Sequence, residues 1–533
     1  MKRPATPIAW RAGDPAICAA LDDRLADVLA AEPAAGTPIQ SNARRSLIEI
    51  EIPVAPPELR AAPRRLVMKI HHLATGRHRW REAVKQRLGR SPAEREWRAL
   101  VAFEAAGIPA PRPIALGRLA SGDAIVVCES IAGAALRDRF AAADAALRDR
   151  LVEHLADAIA RLHASGHCHG DLHLGNLRVR AHGDEIVFLD LQRARPARGE
   201  ADRLRDLARL ELSLLRADWP SPARQSLRLR LAGVGAAADA VLRRFAADHV
   251  RGRARRKLVP GRDLVPIRSG PLRGLALPTI PPEALLEAIA AAEHAPDRRE
   301  RREGRSWIAE VSLAGRAVVV KGHAPRRGVG RLVDRLRGTR AARAFWQGSR
   351  EQLLLGRSAK PLAYLESRRH GLPTASWLVL EHVGTLDLDA HRPGTPAEAF
   401  MLARAIGGWL ADLHALGWHH TDLKGSNLRL LPPADGAGPV RLWLVDLEDL
   451  EGPTRIDDEA RLAALAQLNA SIPDAHFPPQ ARLAGLECYL ARLPFEQAAL
   501  DLEGARREIL RRSLARAHRF RGEGCPNRPL SPS

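Results

Sequence analysis

His169-Gly170-Asp171-Leu172-His173-Leu174-Gly175-Asn176 is followed by an apolar stretch that ends at Asp190. The same plan returns at His420-Thr421-Asp422-Leu423-Lys424-Gly425-Ser426-Asn427, again followed by an apolar stretch, which ends at Asp446. Aligned without a gap, residues 162–178 (LHASGHCHGDLHLGNLR) and 413–429 (LHALGWHHTDLKGSNLR) agree at ten of 17 positions. A single H-x-D-x4-N string is compatible with an Asx-type turn whose Asp and Asn serve only backbone hydrogen bonds. Two copies, their aspartates 251 residues apart, mark a duplicated unit.

Phosphoryl transfer is chemistry that needs these residue types at this spacing. It runs on positioning and charge neutralisation, with a carboxylate near the acceptor hydroxyl and Mg²⁺ across the nucleotide phosphates. Asp171 and Asp422 would orient the acceptor and take its proton. Asn176 and Asn427, five residues on, would offer neutral oxygens to Mg²⁺, a hard cation that prefers oxygen ligands. The strand-end carboxylates Asp190 and Asp446 would be its charged ligands.

In these strings the chain resembles the protein-kinase-like superfamily, and in detail the bacterial lipopolysaccharide kinases that phosphorylate Kdo or heptose sugars of the inner core. The resemblance spans roughly residues 45–215 and 305–490. It implies an α+β architecture of two tandem bilobal protein-kinase-like domains, with ATP and Mg²⁺ as cofactors.

Bulk properties set looser bounds. At ~150 residues per domain, a chain of 533 residues exceeds one core. The 83 basic and 62 acidic residues give a net charge of +21. Such a surface favours anionic partners such as phosphorylated glycolipid or membrane headgroups, although compositional drift would produce it too. Aromatic interleaving suited to single-stranded nucleic acid is missing, so nucleic acid is the least favoured partner. Five scattered cysteines (Cys18, Cys128, Cys168, Cys488, Cys525) without a C-x-x-C pair argue against a disulfide framework or a zinc site. Neither a secretory signal nor a membrane span is expected. The expected location is cytoplasmic, with charge-driven contact at the inner membrane.

Residues 46–51 (SLIEIE) alternate in polarity and read as a strand, as do Arg65–Ile70, which carry Lys69 among apolar residues. A lysine in an apolar strand either reaches solvent at an edge or has a partner that offsets its desolvation. The resemblance implies the second: Lys69 would pair the nucleotide's phosphates and a helix glutamate, with Lys85 as a weaker rival. Glu96 of the helix starting at Pro92 is the favoured partner over Glu94, although both could be first-turn acids stabilising that helix. No G-x-G-x-x-G loop precedes Lys69. Glu129 is expected at a hinge between lobes, and the helix ending near Gly166 delivers the loop. His163, His414, His169 and His420 are expected to be structural, bonding backbone. Only a short segment follows Asp190, and Gly170 stands where phospho-regulated kinases keep arginine; a switched protein kinase is therefore not expected. Asp206, in a helix after that segment, reads as structural.

Residues 306–321 (SWIAEVSLAGRAVVVK) read as a hairpin turning near Ala314-Gly315 and delivering Lys321. Aligning the following helices matches Trp346 to Trp97, which sets Phe345 where Glu96 lies. A helix glutamate for Lys321 is thus missing, with Glu351 the one substitute in reach. Lys424, two residues after Asp422, would meet the transferred phosphate. Glu448 and Asp449 add charge after Asp446, as a third metal ligand or, more in keeping with a polar turn, as a solvated pair. Glu381 is the second expected hinge residue, and Ala464 replaces Asp206.

The expected organisation is an N-terminal extension (1–40), a first kinase-like domain (41–250), a basic Pro/Gly-rich linker (251–304), a second kinase-like domain (305–520) and a tail (521–533). The expected function is ATP-dependent phosphorylation of a lipopolysaccharide core sugar, by one domain or both, with an anionic glycolipid or sugar as substrate. The alternatives are a small-molecule (aminoglycoside- or choline-type) kinase, and a protein in which one or both domains are pseudokinase binding modules.

Overall fold

Alternation of apolar and polar residues along a strand builds a sheet with one apolar face that needs covering. The computed structural model describes residues 8–29, 37–42, 45–52, 64–72, 91–231, 236–301, 306–325, 328–431, 440–497 and 500–517. Lys85 and the 521–533 tail lie outside them. The chain divides into two units, Met1–Ala238 and Asp239–Ser533.

The first unit opens with β1 (Ala9–Gly13), α1 (Pro15–Leu29), β2 (Thr37–Asn42), β3 (Arg45–Ile52), β4 (Arg64–His71), α2 (Pro92–Ala105), β5 (Pro113–Arg118) and β6 (Ala124–Glu129). Its strands form one sheet in the order β1-β5-β6-β4-β3-β2. Leu66, Met68 and Ile70 of β4 point to one face, where Cys18 and Leu21 of α1 complete a core. Lys69, between them, must face the other way, toward α2. The described residues of the stretch expected as an N-terminal extension (1–40) therefore belong to the domain: β1 pairs with β5 and α1 covers a sheet face. Short apolar stretches at 17–21 were too sparse to reveal this in isolation.

Helices dominate the rest of this unit. They are α3 (Leu136–Ala141), α4 (Ala145–Ala164), α5 (Glu200–Arg216) and α6 (Ser221–Arg230), with the short strands β7 (Gly133–Ala135), β8 (His167–Cys168), β9 (Leu177–Arg180), β10 (Ile186–Phe188) and β11 (Arg195–Pro196) between them. Leu151, Leu155, Ile159 and Leu162 of α4 are fully buried, as their near-helical spacing requires. α7 (Ala236–Lys257) follows, and the basic run that ends it sits at a helix C-terminus, where cations are favoured.

The second unit's sheet begins earlier than the expected domain start. β12 (Val265–Ser269) and β13 (Leu272–Ala276) pair with each other and onto a later strand, and α8 (Pro282–Glu293) buries Leu285, Ala288, Ile289 and Ala292. The stretch expected as a linker, 251–304, is thus corrected, in its described residues 251–301, to sheet and helix. Its prolines and glycines punctuate strands at the sheet's margin, a local signal that looks the same as a linker until the later strand is known to lie alongside. Then come β14 (Arg299–Arg301), β15 (Ser306–Leu313), β16 (Arg316–His323), α9 (Gly330–Arg337), α10 (Arg340–Leu354), β17 (Pro361–Arg369) and β18 (Leu372–Glu381), in sheet order β12-β13-β17-β18-β16-β15-β14. β15 and β16 make the expected hairpin, with Ala314 and Gly315 both at positive φ (49° and 79°), the backbone twist that two-residue hairpins favour.

The helical part carries α11 (Pro396–Ala415), β19 (His419–His420), β20 (Leu428–Leu431), β21 (Arg441–Leu444), β22 (Leu450–Glu451), α12 (Asp458–Ser471), α13 (Pro479–Arg492) and α14 (Leu502–Ala517). α11 and α13 cross backbone to backbone: a Cβ on Gly407 would lie 2.0 Å from Gly485 O. Gly407→Ala should therefore push the two helices apart, an overpacking cost of about 1–3 kcal/mol. Differential scanning calorimetry should show the transition containing the second unit at lower temperature, whereas Gly252→Ala, where an added Cβ meets nothing nearer than 3.9 Å, should not lower it.

Candidate phosphotransfer sites

In the first unit, a capping box starts α2: Ser91 and Glu94 bond reciprocally, and Glu94 also pairs with Arg11 at 2.7 Å. That occupies Glu94. Glu96 faces the sheet instead, and Lys69 Nζ donates to its Oε1 with both side chains buried (9% and 1% exposed). His71 Nε2 stands 3.6 Å from the other carboxylate oxygen. Burial alone would raise the Glu96 carboxyl, but Lys69 with His71 outweighs it and holds the group down to about 2. The Lys69 ammonium is correspondingly raised despite its burial.

The loop after α4 is pinned from α5. Asp206, 1% exposed, accepts from the backbone N–H groups of His169 (2.6 Å) and Gly170 (2.9 Å), and Ser213 Oγ accepts from Leu174 N. His169 donates through Nε2 to Leu189 O (3.0 Å) and accepts Asp171 N–H at Nδ1 (3.3 Å). Asn176 Nδ2 donates to Asp171 O (3.0 Å), and Leu189 N donates to Asn176 O (2.9 Å), so loop and strand end are stitched together. Asp190 adopts left-handed backbone (φ 57°), which aspartate tolerates better than most residues. Arginines meet both carboxylates: Arg45 reaches Asp190 at 3.1 Å, and Arg193 and Arg209 reach Asp171 at 3.5 and 3.7 Å. Glu129 ends β6, with Arg180 3.3 Å away.

The second unit has the same frame with different partners. Phe345 fills the place of the helix glutamate and is fully buried. Lys321 Nζ turns to Asp446 Oδ1 (3.1 Å) and Glu448 Oε2 (3.2 Å), and His323 Nε2 lies 3.0 Å from Glu448 Oε1. Glu448 thus replaces Glu96, reaching the lysine from the turn after the strand rather than from a helix. The reading of Glu448 as solvated is corrected: its side chain is 3% exposed. Glu351 is corrected too, since its carboxylate accepts from Arg357 N (2.9 Å) and Ser358 Oγ. Burial would raise Glu448, but Lys321 and His323 hold it well below the usual range; the less well partnered Asp446 is raised by burial and by Glu448 itself.

His420 donates to Asp446 O (2.8 Å) and accepts from Asp422 N, and Asn427 Nδ2 donates to Asp422 O (2.9 Å). Ser471 Oγ accepts from Gly425 N (2.9 Å), as Ser213 does for Leu174. With Ala464 in place of Asp206, Thr421 N–H bonds Asp449 O (2.9 Å) instead. Lys424 Nζ (3.0 Å) and Gln467 Nε2 (2.6 Å) hold the Asp422 carboxylate, whose burial would raise it but which Lys424 keeps low. Glu381 ends β18, its N–H on Lys360 O. His414 Nδ1 bonds the Tyr489 hydroxyl (2.8 Å) rather than the expected backbone, and His163 Nε2 stands 3.9 Å from Asp206 with no hydrogen-bond partner among the described residues. Lys321, His323, Lys424, Ser426, Asp446 and Glu448 line a cavity of about 300 Å³.

Carboxylate oxygens of Asp422, Asp446 and Asp449 all lie within 4.8 Å of one another. At an effective dielectric of ~20, each such pair repels by roughly 3 kcal/mol, which calls for positive charge nearby. Asn427 is fully buried and its Oδ1 has no hydrogen-bond partner among the described residues. That donor set, carboxylates plus one neutral oxygen, fits a hard divalent cation. The sequence reading missed Glu448 as lysine partner, and Arg193, Arg209 and Gln467 beside the loop aspartates; Asp449, weighed there as a third metal ligand or part of a solvated turn, joins the carboxylate group. The available signal was the contrast of DLQR (190–193) with DLED (446–449).

The lipopolysaccharide kinase (Kdo/WaaP) family model matches residues 62–229 and again 297–489. The EKC/KEOPS complex subunit BUD32 of Encephalitozoon cuniculi (strain GB-M1) is 29% identical over 183 residues, 34% of this chain and 85% of that protein. A solved structure titled WaaP in complex with acyl carrier protein is 22% identical, covering 42% of this chain and 91% of that one, with a TM-score of 0.30. Since the family match takes in about two-thirds of its residues, the chain belongs to the lipopolysaccharide kinase (Kdo/WaaP) family, and it is an ATP-dependent kinase of the lipopolysaccharide core.

Proposed function

We propose that each unit is a bilobal protein-kinase-like domain and that the chain transfers the γ-phosphoryl group of ATP to a hydroxyl of Kdo or heptose in an anionic core glycolipid. One observation carries this reading: where the helix glutamate has become Phe345, a buried carboxylate still meets the sheet lysine, now from Glu448. Independent residues converge on the same ammonium–carboxylate contact. Asp171 and Asp422 would take the acceptor proton at a carboxylate oxygen. Lys69, Lys321 and Lys424 would bind nucleotide phosphates, and Glu96 and Glu448 would fix the sheet lysines. Asn176 with Asp190, and Asn427 with Asp446, would hold Mg²⁺, which when bound would neutralise phosphate charge. The family match does not favour a soluble amino-alcohol acceptor.

Peripheral membrane contact belongs to the same proposal. Val329 just before α9 and Leu332 and Leu336 on it are 75%, 51% and 85% exposed, beside Arg335 and Arg337. Exposed leucines flanked by arginines suit an anionic bilayer surface. No helix among the described residues is long and apolar enough to cross a membrane.

With labelled ATP, Mg²⁺ and rough-type lipopolysaccharide, the Asp171→Asn/Asp422→Asn double variant should lose on the order of 10²–10⁴-fold in transfer rate. A double variant as active as the parent sinks the reading. In a Lys69→Met background, Glu448→Gln should weaken ATP binding about tenfold, equal to ~1.4 kcal/mol, in a titration that Glu351→Gln leaves unchanged. Leu332→Asp/Leu336→Asp should cut co-sedimentation with phosphatidylglycerol vesicles about tenfold, and added salt should weaken what remains.

A further inference from the structure

Each loop aspartate has two carboxylate oxygens, and in both units each oxygen meets a nitrogen donor. In the second unit Gln467 of α12 donates to Asp422 Oδ1 (2.6 Å) and Lys424 of the loop donates to Oδ2 (3.0 Å). In the first unit Arg209, at the position of α5 that matches Gln467, stands 3.7 Å from Asp171 Oδ1. The other oxygen again faces a cation, but one brought by a different element. Arg193 Nη1, from the turn after Asp190, lies 3.5 Å from Asp171 Oδ2.

Two positions have exchanged their chemistry. The second unit has Lys424 in the loop and Asp449 in the turn; the first has His173 and Arg193. His173 does not stand in for the lysine, because its Nδ1 turns back to accept the Gly175 N–H (3.1 Å). The backbone shows how Arg193 comes within reach instead. Gly170, at φ 73°, lies so close to the turn that a Cβ on it would fall 2.4 Å from Arg193 O. A residue with a side chain there would hold the turn, and Arg193 with it, away from Asp171.

We propose that Arg193 is a catalytic residue of the first unit, whose guanidinium neutralises the transferring phosphoryl group as the Lys424 ammonium does in the second. In that step the acceptor oxygen bonds the γ-phosphorus while its proton passes to Asp171. The bond from that phosphorus to ADP breaks, and its electron pair leaves with the β-phosphate oxygen. Charge is then spread over the three γ-oxygens, beside the carboxylate that takes the proton. A guanidinium presents a fork of donors to such oxygens, and Arg193, with 57% of its side chain exposed, has room to reach them from Asp171. The assignment rests on the phosphotransfer reading above and adds that the cation has moved from the loop to the turn, as the carboxylate facing the sheet lysine moved from helix to turn.

The test uses the full chain with Asp422→Asn, so that transfer from ATP to rough-type lipopolysaccharide reports the first unit. Adding Arg193→Gln should lower kcat roughly 10²-fold while the KM for ATP moves by no more than about threefold. Adding His173→Lys to that variant, which restores an ammonium at the place of Lys424, should recover roughly tenfold of the loss; an arginine that only supports the turn would not be replaced from the loop. An unchanged kcat, a loss carried by KM alone, or no recovery with His173→Lys overturns the proposal. So does an Asp422→Asn chain that is inactive beside an active Asp171→Asn chain. Failure of the phosphotransferase reading would look different, with the parent itself transferring nothing. Binding of Mg·ADP with aluminium fluoride, which mimics the transferring phosphoryl group, then decides. Arg193→Gln should weaken it about tenfold at one site while Mg·ADP alone binds as before, and equal binding of the aluminium fluoride complex overturns the proposal.

Discussion

A lysine ammonium set in the middle of an apolar sheet constrains everything around it. Lys69 and Lys321 each lie between neighbouring strands on both sides, with no edge through which to reach water. An unpaired buried charge costs several kcal/mol, and removing one partner of a buried pair typically costs about 3–5 kcal/mol. A carboxylate must therefore arrive from another element. In the first unit α2 brings it, and in the second the turn after β21 does. In both, a histidine two residues on from the lysine backs the same carboxylate.

The loop aspartates depend on a second set of contacts. In each unit a histidine bonds a carbonyl near the strand end and accepts the aspartate's own N–H, while the asparagine amide ties to the aspartate carbonyl. A serine of the following helix takes a further loop N–H. These bonds leave the carboxylates facing outward from a rigid backbone, the pre-organisation that transfer chemistry rewards. The frame tolerates change in how it is held: Asp206 clamps two N–H groups in the first unit, and the Asp449 carbonyl takes one in the second.

Charge, by contrast, has diverged. Asp171 and Asp190 meet three arginines between them, whereas Asp422 and Asp446 sit with Asp449 and with single lysines. The duplicated frames thus keep the same aspartate–asparagine–aspartate set among different charged neighbours.

The sequence by itself determined what is local and repeated: both loops, their strand-end aspartates, Lys69 with Glu96, the hairpin carrying Lys321, and the mixed helix-and-sheet, kinase-like fold. Periodicity and fixed spacing carry that information because the residues concerned lie within one element or the next. Only the tertiary structure decided that residues 9–13, 37–42 and 265–276 join sheets, since such strands are recognised by the strand beside them. It alone decided that Glu448, 127 residues beyond Lys321, is that lysine's partner. A glutamate in a polar turn reads as solvated until the fold sets a buried ammonium against it. Desolvation then makes the pairing obligatory.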